Sequence, residues 1–260
     1  MKLFDSHCHL DDSIFTKDWS AVMERMAANG VKAALIAGIN ADRSTKGLAL
    51  AQAYPGLYAA VGVHPHDASE CDEKTLNILK SLAASPKVRA WGEIGLDFNR
   101  MYSPRDVQEK WFVRQLEIAD DLGLPLIFHE RDSLGRLLTL LDQNPNSRRF
   151  GVVHCFSGTN AELARYLEMG FYIGITGILT IQKRGRRLRE QVAMIPPERL
   201  LIETDAPYLT PAPQKNRHRR NEPAFVKSVL LKLAEITNIE ADTLADTVWD
   251  NTCRLFDVRP

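Results

Sequence analysis

Six side chains that can bind metal ions stand at or near the ends of short apolar segments. They are His7, His9, Glu93, His129, His154 and Asp205. The segments, which include residues 124–128 and 200–202, resemble buried strands that stop where a polar residue begins. In a parallel α/β barrel the carboxyl ends of all strands face one mouth, so ligands that are distant in sequence can meet there. The pattern predicts a metal site and favours a metal-dependent hydrolase.

The spacing of these residues indicates which of them share an ion. His7 and His9 end the first predicted strand, and a period of two places both imidazoles on one face while Cys8 points to the other. Glu93 lies within an apolar segment flanked by glycines, where a buried carboxylate needs a cation or a basic partner. A pair of histidines alone is weak evidence for a metal site, but the same pattern recurs at five predicted strands.

The number of candidate ligands bears on the number of ions. Four imidazoles and two carboxylates exceed the usual ligand set of a single catalytic zinc ion, which predicts two ions that share a carboxylate. We expect Glu93 to bridge them. Asp205 could both bind an ion and accept a proton from the attacking water. Glu203 shares a strand face with Asp205 and either orients a ligand or binds the water, or it is a buried acid paired with a lysine or arginine of the barrel.

Two residues at predicted strand ends could contact a substrate. His64 ends the third predicted strand and faces the expected mouth, where a substrate contact and a packed core histidine are both consistent with the sequence. Arg131 shares a face with His129 and either binds a phosphate or pairs with a neighbouring acid. His66 follows Pro65 and is interpreted as a loop residue.

Two basic segments stand out in a chain whose net charge is zero. Residues 182–191 hold five basic side chains and one acid, and residues 214–223 hold four and one, so together they carry +7 and the remainder carries −7. Both follow the last two predicted strands, where barrels often bind phosphate. We expect Arg217, Arg219 and Arg220 to contact substrate phosphates, whereas residues 183–189 could be the exposed side of a helix.

Apolar segments alternate with stretches of helical periodicity along the whole chain. Eight strands are predicted, at residues 3–7, 33–38, 57–63, 88–94, 124–129, 150–154, 171–175 and 200–204. Helical periodicity covers residues 18–29, 108–122 and 161–168, and Gly30, Gly123 and Gly170 follow the last turns, where glycine is favoured. Residues 224–260 are predicted to form terminal helices. The expected fold is a TIM (β/α)8 barrel in which residues 1–260 form a single metal-dependent hydrolase domain.

Composition excludes several classes of protein. With 45% hydrophobic and 25% charged residues, the chain is neither disordered nor fibrous. It has no apolar stretch approaching the roughly 18 residues of a membrane span, and its first residues lack the apolar region of a signal peptide. Four cysteines without paired spacing fit reduced thiols. We therefore expect a cytoplasmic protein with no membrane association and no obligate protein partner.

Five longer motifs resemble those of the TatD deoxyribonucleases, a family of the metal-dependent hydrolase superfamily. They are residues 5–9 (DSHCH), 62–66 (GVHPH), 92–97 (GEIGLD), 154–158 (HCFSG) and 203–209 (ETDAPYL). The resemblance covers nearly the whole chain and implies a TIM barrel, two divalent ions and hydrolysis of DNA. It places the metal at His7, His9, Glu93, His129, His154 and Asp205. Glu93 stands where many superfamily relatives have a carboxylated lysine, which disfavours dihydroorotase-like and phosphotriesterase-like functions.

The sequence therefore predicts a two-metal-dependent phosphodiester hydrolase acting on DNA, with water activated by the metals and Asp205. The metal could be magnesium, manganese or zinc. The alternative is an ester or amide hydrolase with the same site, for example on an acylated nucleic acid, because a metal-activated water attacks carbonyl carbon as well as phosphorus. A nucleic-acid-binding or metal-binding module without turnover is a third hypothesis, and the presence of both Glu93 and Asp205 argues against it.

Overall fold

Eight parallel strands follow one another in chain order around a single sheet, each paired with the next. This arrangement is seen in a computed structural model that describes all 260 residues. An isolated parallel bridge between Cys8 and Ala206 joins the first and last strands. Next to it, the Asp205 backbone N–H donates to the His7 carbonyl at 2.9 Å, and the His9 N–H donates to the Ala206 carbonyl at 2.7 Å. These bonds complete the barrel and confirm the predicted fold.

The strands alternate with helices along the chain. The strands are β1 Leu3–Cys8, β2 Val31–Ile36, β3 Leu57–Val61, β4 Val88–Asp97, β5 Leu126–Arg131, β6 Gly151–Val153, β7 Tyr172–Ile175 and β8 Leu200–Ile202. The helices are α1 Trp19–Ala28, α2 Ala41–Ala53, α3 Glu73–Ala83, α4 Arg105–Leu122, α5 Arg136–Gln143, α6 Asn160–Glu168, α7 Arg186–Val192, α8 Val226–Thr237 and α9 Ala241–Phe256. All eight predicted strands are present, and the two final helices occupy the segment predicted for them.

The strand ends differ from the prediction in a way that matters for the site. β4 and β5 continue past their predicted ends. Residues 94–97 of β4 pair in register with residues 128–131 of β5, so both strands extend to a charged last residue, Asp97 and Arg131. β6 and β8 are shorter than predicted and stop at Val153 and Ile202. Some candidate ligands therefore lie on regular strands and others on the loops that follow.

Glycine ends three helices as the sequence predicts. Gly30, Gly123 and Gly170 have φ values of 80°, 64° and 82°, which a residue with a Cβ adopts at a cost. The predicted helix 108–122 begins earlier, at Arg105, because its first turn follows Pro104 and carries polar residues that the apolar periodicity does not reveal.

The amino-terminal end of the barrel is closed by α9. Phe4 lies inside the barrel with its ring centroid 6.0 Å from that of Trp249 and 6.4 Å from that of Phe256, both from α9. The Arg89 side chain of β4 donates to the Phe256 carbonyl at 2.8 Å. Since this end is filled by apolar side chains, the barrel is open only at the carboxyl ends of its strands.

Candidate metal centre

The six candidate metal ligands converge at the carboxyl ends of five strands. His7 lies on β1, Glu93 on β4 and His129 on β5, while His9 and His154 directly follow β1 and β6 and Asp205 lies in the loop after β8. A cavity of about 730 Å³ opens at this end and is lined by all of them except His7. His7 is completely buried and touches two of the lining carboxylates. The topology thus brings together side chains up to 198 positions apart, as residues 7 and 205 are.

Glu93 is the centre of the cluster. Its Oε2 lies 3.4 Å from His7 Nε2 and 3.8 Å from His9 Nε2. Its other oxygen, Oε1, lies 2.6 Å from His129 Nδ1 and 3.1 Å from His154 Nε2. The two oxygens of one carboxylate therefore face two different pairs of histidines, and Oε1 has His64 Nε2 as a third neighbour at 3.4 Å. A bridging ligand requires such a division of its oxygens.

Asp205 completes the group on the His7 side. Its Oδ1 lies 3.3 Å from His9 Nε2 and 3.6 Å from His7 Nε2. The residue has a φ of 57°, a left-handed conformation that costs energy outside glycine, asparagine and a few aspartates. The buried Asp5 carboxylate accepts a hydrogen bond from the preceding Thr204 N–H at 2.8 Å and so helps to hold this turn. The backbone turn therefore directs Asp205 towards the histidines.

Glu203 supports His154. Its Oε1 accepts the Cys155 N–H at 2.6 Å and lies 3.1 Å from His154 Nδ1. No lysine or arginine pairs with it, and its second oxygen is buried without a hydrogen-bond partner. A Cβ at Gly174 on β7 would lie 2.6 Å from that oxygen, so the glycine provides the space for this carboxylate. Glu203 is placed to orient His154.

The residues present fit divalent cations. Three donor groups have ligand atoms within 4.8 Å of one another: His7, His154 and Asp205; His7, His9 and Glu93; and His64, Glu93 and His129. Both nitrogens of His7 and Nδ1 of His9 are buried with no hydrogen-bond partner. Buried polar atoms normally have partners, and His7 Nε2, which lies 3.4 Å from Glu93 Oε2, is the nitrogen that a cation between these two residues would satisfy.

Glu93 and His7 are in the charge states that suit a cation, whereas nearby carboxylates outweigh the effect of burial and raise the pKa of His9, His129 and His154. Burial raises the pKa of Glu93, but the nearby His154, His64 and His129 outweigh this effect and hold the pKa well below its ordinary value. Burial, together with the neighbouring His154, lowers the pKa of His7. The carboxylate is therefore ionised and His7 is neutral, which are the forms that bind metals.

Asp97 is a site residue that the sequence interpretation missed. Its Oδ2 lies 2.7 Å from His66 Nε2 and 3.2 Å from His129 Nε2, and its side chain is fully buried. Asp97 can therefore fix the ring orientation of His129 from the side opposite Glu93. The interpretation of His66 as a loop residue is incomplete, since its ring is bound to Asp97. The sequence did contain a signal for Asp97, because residues 93, 95 and 97 share one face of a strand and Asp97 therefore lies on the same face as Glu93.

The two residues predicted at strand ends for the substrate both line the cavity. His64 Nε2 lies 3.4 Å from Glu93 Oε1, and its Nδ1 accepts the His66 N–H at 3.0 Å. Burial and the neighbouring His129 lower the pKa of His64 to about 4. Arg131 reaches the cavity from the end of β5 and pairs with no carboxylate. A neutral imidazole and a free guanidinium thus stand beside the ligands.

The three arginines predicted after β8 occupy different environments. Arg220 binds Asp18 with bonds of 2.7 and 2.6 Å, so its guanidinium already has an anionic partner and does not line the cavity. Arg219 lines a second cavity that adjoins the first and shares Arg184 and Tyr208 with it. Arg217 lines neither cavity. Arg220 therefore forms an ion pair within the protein, and the phosphate contact stays a prediction.

Further arginines also reach the mouth, one of them from the basic segment 182–191. Arg43, Arg100 and Arg184 line the cavity together with Arg131. Arg43 pairs with Asp11 and Asp12. The remaining three have no carboxylate within ion-pairing distance, so they are free to bind an anion. Arg131 ends β5, Arg100 and Arg184 follow β4 and β7, and only Arg184 belongs to a local run of basic residues.

Comparison with known proteins agrees with this geometry. The sequence profile of the TatD related DNase family matches residues 4–257. The chain belongs to this family. A TatD protein of Escherichia fergusonii, named a 3′-5′ ssDNA/RNA exonuclease, is 42% identical over 258 residues, which cover 98% of this chain and 99% of the relative. A relative of the same name from Citrobacter rodentium is 43% identical and covers 98% of both chains.

Solved structures show the same likeness. A TatD homologue from Escherichia coli K12 superimposes with a TM-score of 0.91 and 33% identity, covering 99% of this chain and 98% of the other. A TatD family hydrolase from Entamoeba histolytica gives 0.89 and 27%, covering 98% of each. The prediction of a TatD family metal-dependent hydrolase is confirmed.

None of the helices in this TatD family chain has the length and apolar character that crossing a membrane requires.

Proposed function

We propose that this protein is a two-metal phosphodiesterase that removes nucleotides from single-stranded DNA or RNA. The observation that carries the proposal is the division of the two Glu93 oxygens between two pairs of histidines. Relatives of about 42% identity that bear the name 3′-5′ ssDNA/RNA exonuclease support the substrate class and extend the sequence prediction of DNA to RNA.

Two groups of residues would hold the ions. His7 and His9 lie beside Glu93 Oε2 and both face Asp205 Oδ1, while His129 and His154 face Glu93 Oε1. Two bound divalent ions would lower the pKa of a water molecule and clamp the attacking and leaving oxygens of a phosphodiester. Magnesium, manganese and zinc all remain compatible with a mixed set of imidazoles and carboxylates.

The residues of the chain would then handle the proton and the substrate. The Asp205 carboxylate is ionised, since His9, His154 and His7 outweigh the effect of burial and lower its pKa. It can accept the proton of the attacking water within hydrogen-bond reach. Glu203 would keep His154 in position through its bond to Nδ1. Asp97 would do the same for His129.

The free guanidiniums would bind the phosphate backbone. Arg100, Arg131 and Arg184 line the cavity without ion pairs, and Arg219 continues the positive surface into the adjoining cavity. Guanidinium groups form paired hydrogen bonds with phosphate, which position a strand without reading its sequence. This arrangement suits an enzyme that acts on nucleic acid of any sequence.

A parallel assay tests the proposal. The purified protein, stripped of metal and reloaded with magnesium, manganese or zinc in turn, is given single-stranded DNA, single-stranded RNA, duplex DNA and an aminoacyl ester of RNA. The proposal expects metal-dependent release of mononucleotides from the single strands. Hydrolysis of the acyl ester without release of nucleotides would instead establish the ester hydrolase that the sequence left as an alternative.

A further inference from the structure

A continuous row of aromatic and imidazole rings crosses the open end of the barrel. The rings in order are Tyr208, His9, His7, His154, His129, His64, His66 and Tyr102, with successive centroids 5.9, 5.1, 3.8, 5.8, 4.3, 4.3 and 4.7 Å apart. The histidines form the middle of the row around Glu93. A tyrosine stands at each end.

Both tyrosines are exposed, although they lie beside buried ligands. Tyr102 is 65% exposed and Tyr208 is 54% exposed, and both line the cavity of the metal centre. Large aromatic rings that remain open to solvent at the rim of a cavity are typical of binding surfaces. The two rings reach the mouth from the loops after β4 and β8, so they lie on opposite sides of the histidines.

The backbone under each ring is held firmly. Ser103, next to Tyr102, is fully buried, and its Oγ donates to the His66 carbonyl at 2.9 Å and accepts the Ser69 N–H at 2.9 Å. The Tyr208 carbonyl accepts Asn221 Nδ2 at 2.6 Å, and the Tyr208 N–H donates to the Asp205 carbonyl at 2.8 Å. Exposed rings on an ordered backbone bind a planar ligand at little cost in conformational entropy.

We infer that Tyr102 and Tyr208 are stacking platforms for unpaired nucleobases, one on each side of the phosphate that lies over the histidine row. This inference rests on the proposed nuclease function. Every nucleobase has a flat face, so stacking on tyrosine tolerates any sequence. Bases in a duplex are already paired and stacked, and drawing them out costs a few kcal/mol. The tyrosines therefore favour single-stranded substrates.

The test compares substitutions that remove or keep the ring. Tyr102→Leu and Tyr208→Leu remove the aromatic face, while Tyr102→Phe and Tyr208→Phe keep it. Phe150→Leu is the matched control, because Phe150 is also an exposed aromatic residue but precedes β6 at the opposite end of the barrel. Each metal-loaded variant is assayed on a single-stranded oligonucleotide and on one of the same length whose last residues at the 3′ end lack bases.

Each leucine variant should raise KM for the normal oligonucleotide by about fivefold or more, with smaller changes in kcat. The phenylalanine variants and Phe150→Leu should behave like the unmodified protein. On the oligonucleotide without terminal bases, the KM of the unmodified protein should already be high. The leucine substitutions should not raise that KM further.

Two results would overturn the inference. One is a KM for normal oligonucleotide that is unchanged in both leucine variants, and the other is an equal loss on both substrates. Thermal unfolding and metal content of each variant separate loss of stacking from loss of structure. Absence of hydrolysis by the unmodified protein would refute the proposed nuclease function itself, so the two failures are distinguishable.

Discussion

At the scale of single residues, the centre consists of acids whose charge is maintained by the histidines around them. Burial alone would raise the pKa of Glu93 and Asp205, and contact with imidazoles reverses the shift in both. A cation is the natural further partner of such a group, because a buried charge without one is costly. Each carboxylate can therefore be tested by removing its charge while keeping its shape.

Asp205→Asn separates proton transfer from metal binding. The amide keeps one oxygen for an ion but cannot accept the proton of the water, so we expect turnover to fall by roughly 10² to 10⁴ while DNA binding changes little. Single-turnover kinetics together with metal analysis measure both effects. Asp132→Asn, at an exposed acid just after β5, serves as the control. Near-normal turnover in a metal-loaded Asp205→Asn protein would exclude this role and point to Glu203.

The sequence predicted the ligands better than their surroundings. All six candidate ligands could be proposed because each lies at or near the end of an apolar segment, and a barrel brings such ends together. Tyr102 and Arg100 were missed because they lie on loops with no periodic pattern, and Arg184 was interpreted with residues 183–189 as the possible exposed side of a helix. The position of an exposed side chain depends on loop conformation, which local composition does not determine.

At the scale of elements, β7 contributes space to the site instead of a side chain. Gly174→Ala would place a methyl group against the Glu203 carboxylate and so disturb His154. We expect the barrel to fold and activity to fall by about 10-fold to 100-fold, as is usual when a residue supporting a metal ligand is displaced. Thermal unfolding tests whether the variant folds, and steady-state kinetics on single-stranded DNA tests the expected loss of activity.

Gly170→Ala is the matched control, four residues earlier in the chain. It has a φ of 82° and open space around the site of its Cβ, so alanine there is strained but meets nothing. We expect a loss of about 1 kcal/mol in stability and no change in activity. If both variants changed stability and activity alike, Gly174 would have no specific role at the site.

The strands show where prediction from sequence reaches its limit at this scale. Continuous apolar segments predicted all eight, but the ends of β4 and β5 were placed short because their last residues are polar. Those residues still pair as strand residues because β4 and β5 lie next to each other in the sheet. Pairing between distant segments is a tertiary property, and periodicity within one segment cannot report it.

At the scale of the whole molecule, a chain of zero net charge places three arginines without ion pairs at the mouth of the barrel. If Arg100, Arg131 and Arg184 each neutralise a phosphate, their joint replacement by glutamine should flatten the slope of log affinity against log salt by about 2 for single strands, at ~0.7 per contact. Replacing Arg217, Arg219 and Arg220 should flatten it by less, because Arg220 is paired with Asp18. If both triple replacements changed the slope equally, the loop after β8 would instead be supported as a phosphate-binding site.

The central claim is that one carboxylate, Glu93, holds two ions, and metal stoichiometry tests it most directly. Elemental analysis of protein equilibrated with each candidate metal should give about two ions per chain for the unmodified protein, about one for His7→Ala and none for Glu93→Ala. Glu130→Ala removes another buried acid, one that accepts hydrogen bonds from Ser133 beside His129, and should retain both ions. Full metal occupancy in Glu93→Ala would contradict the account.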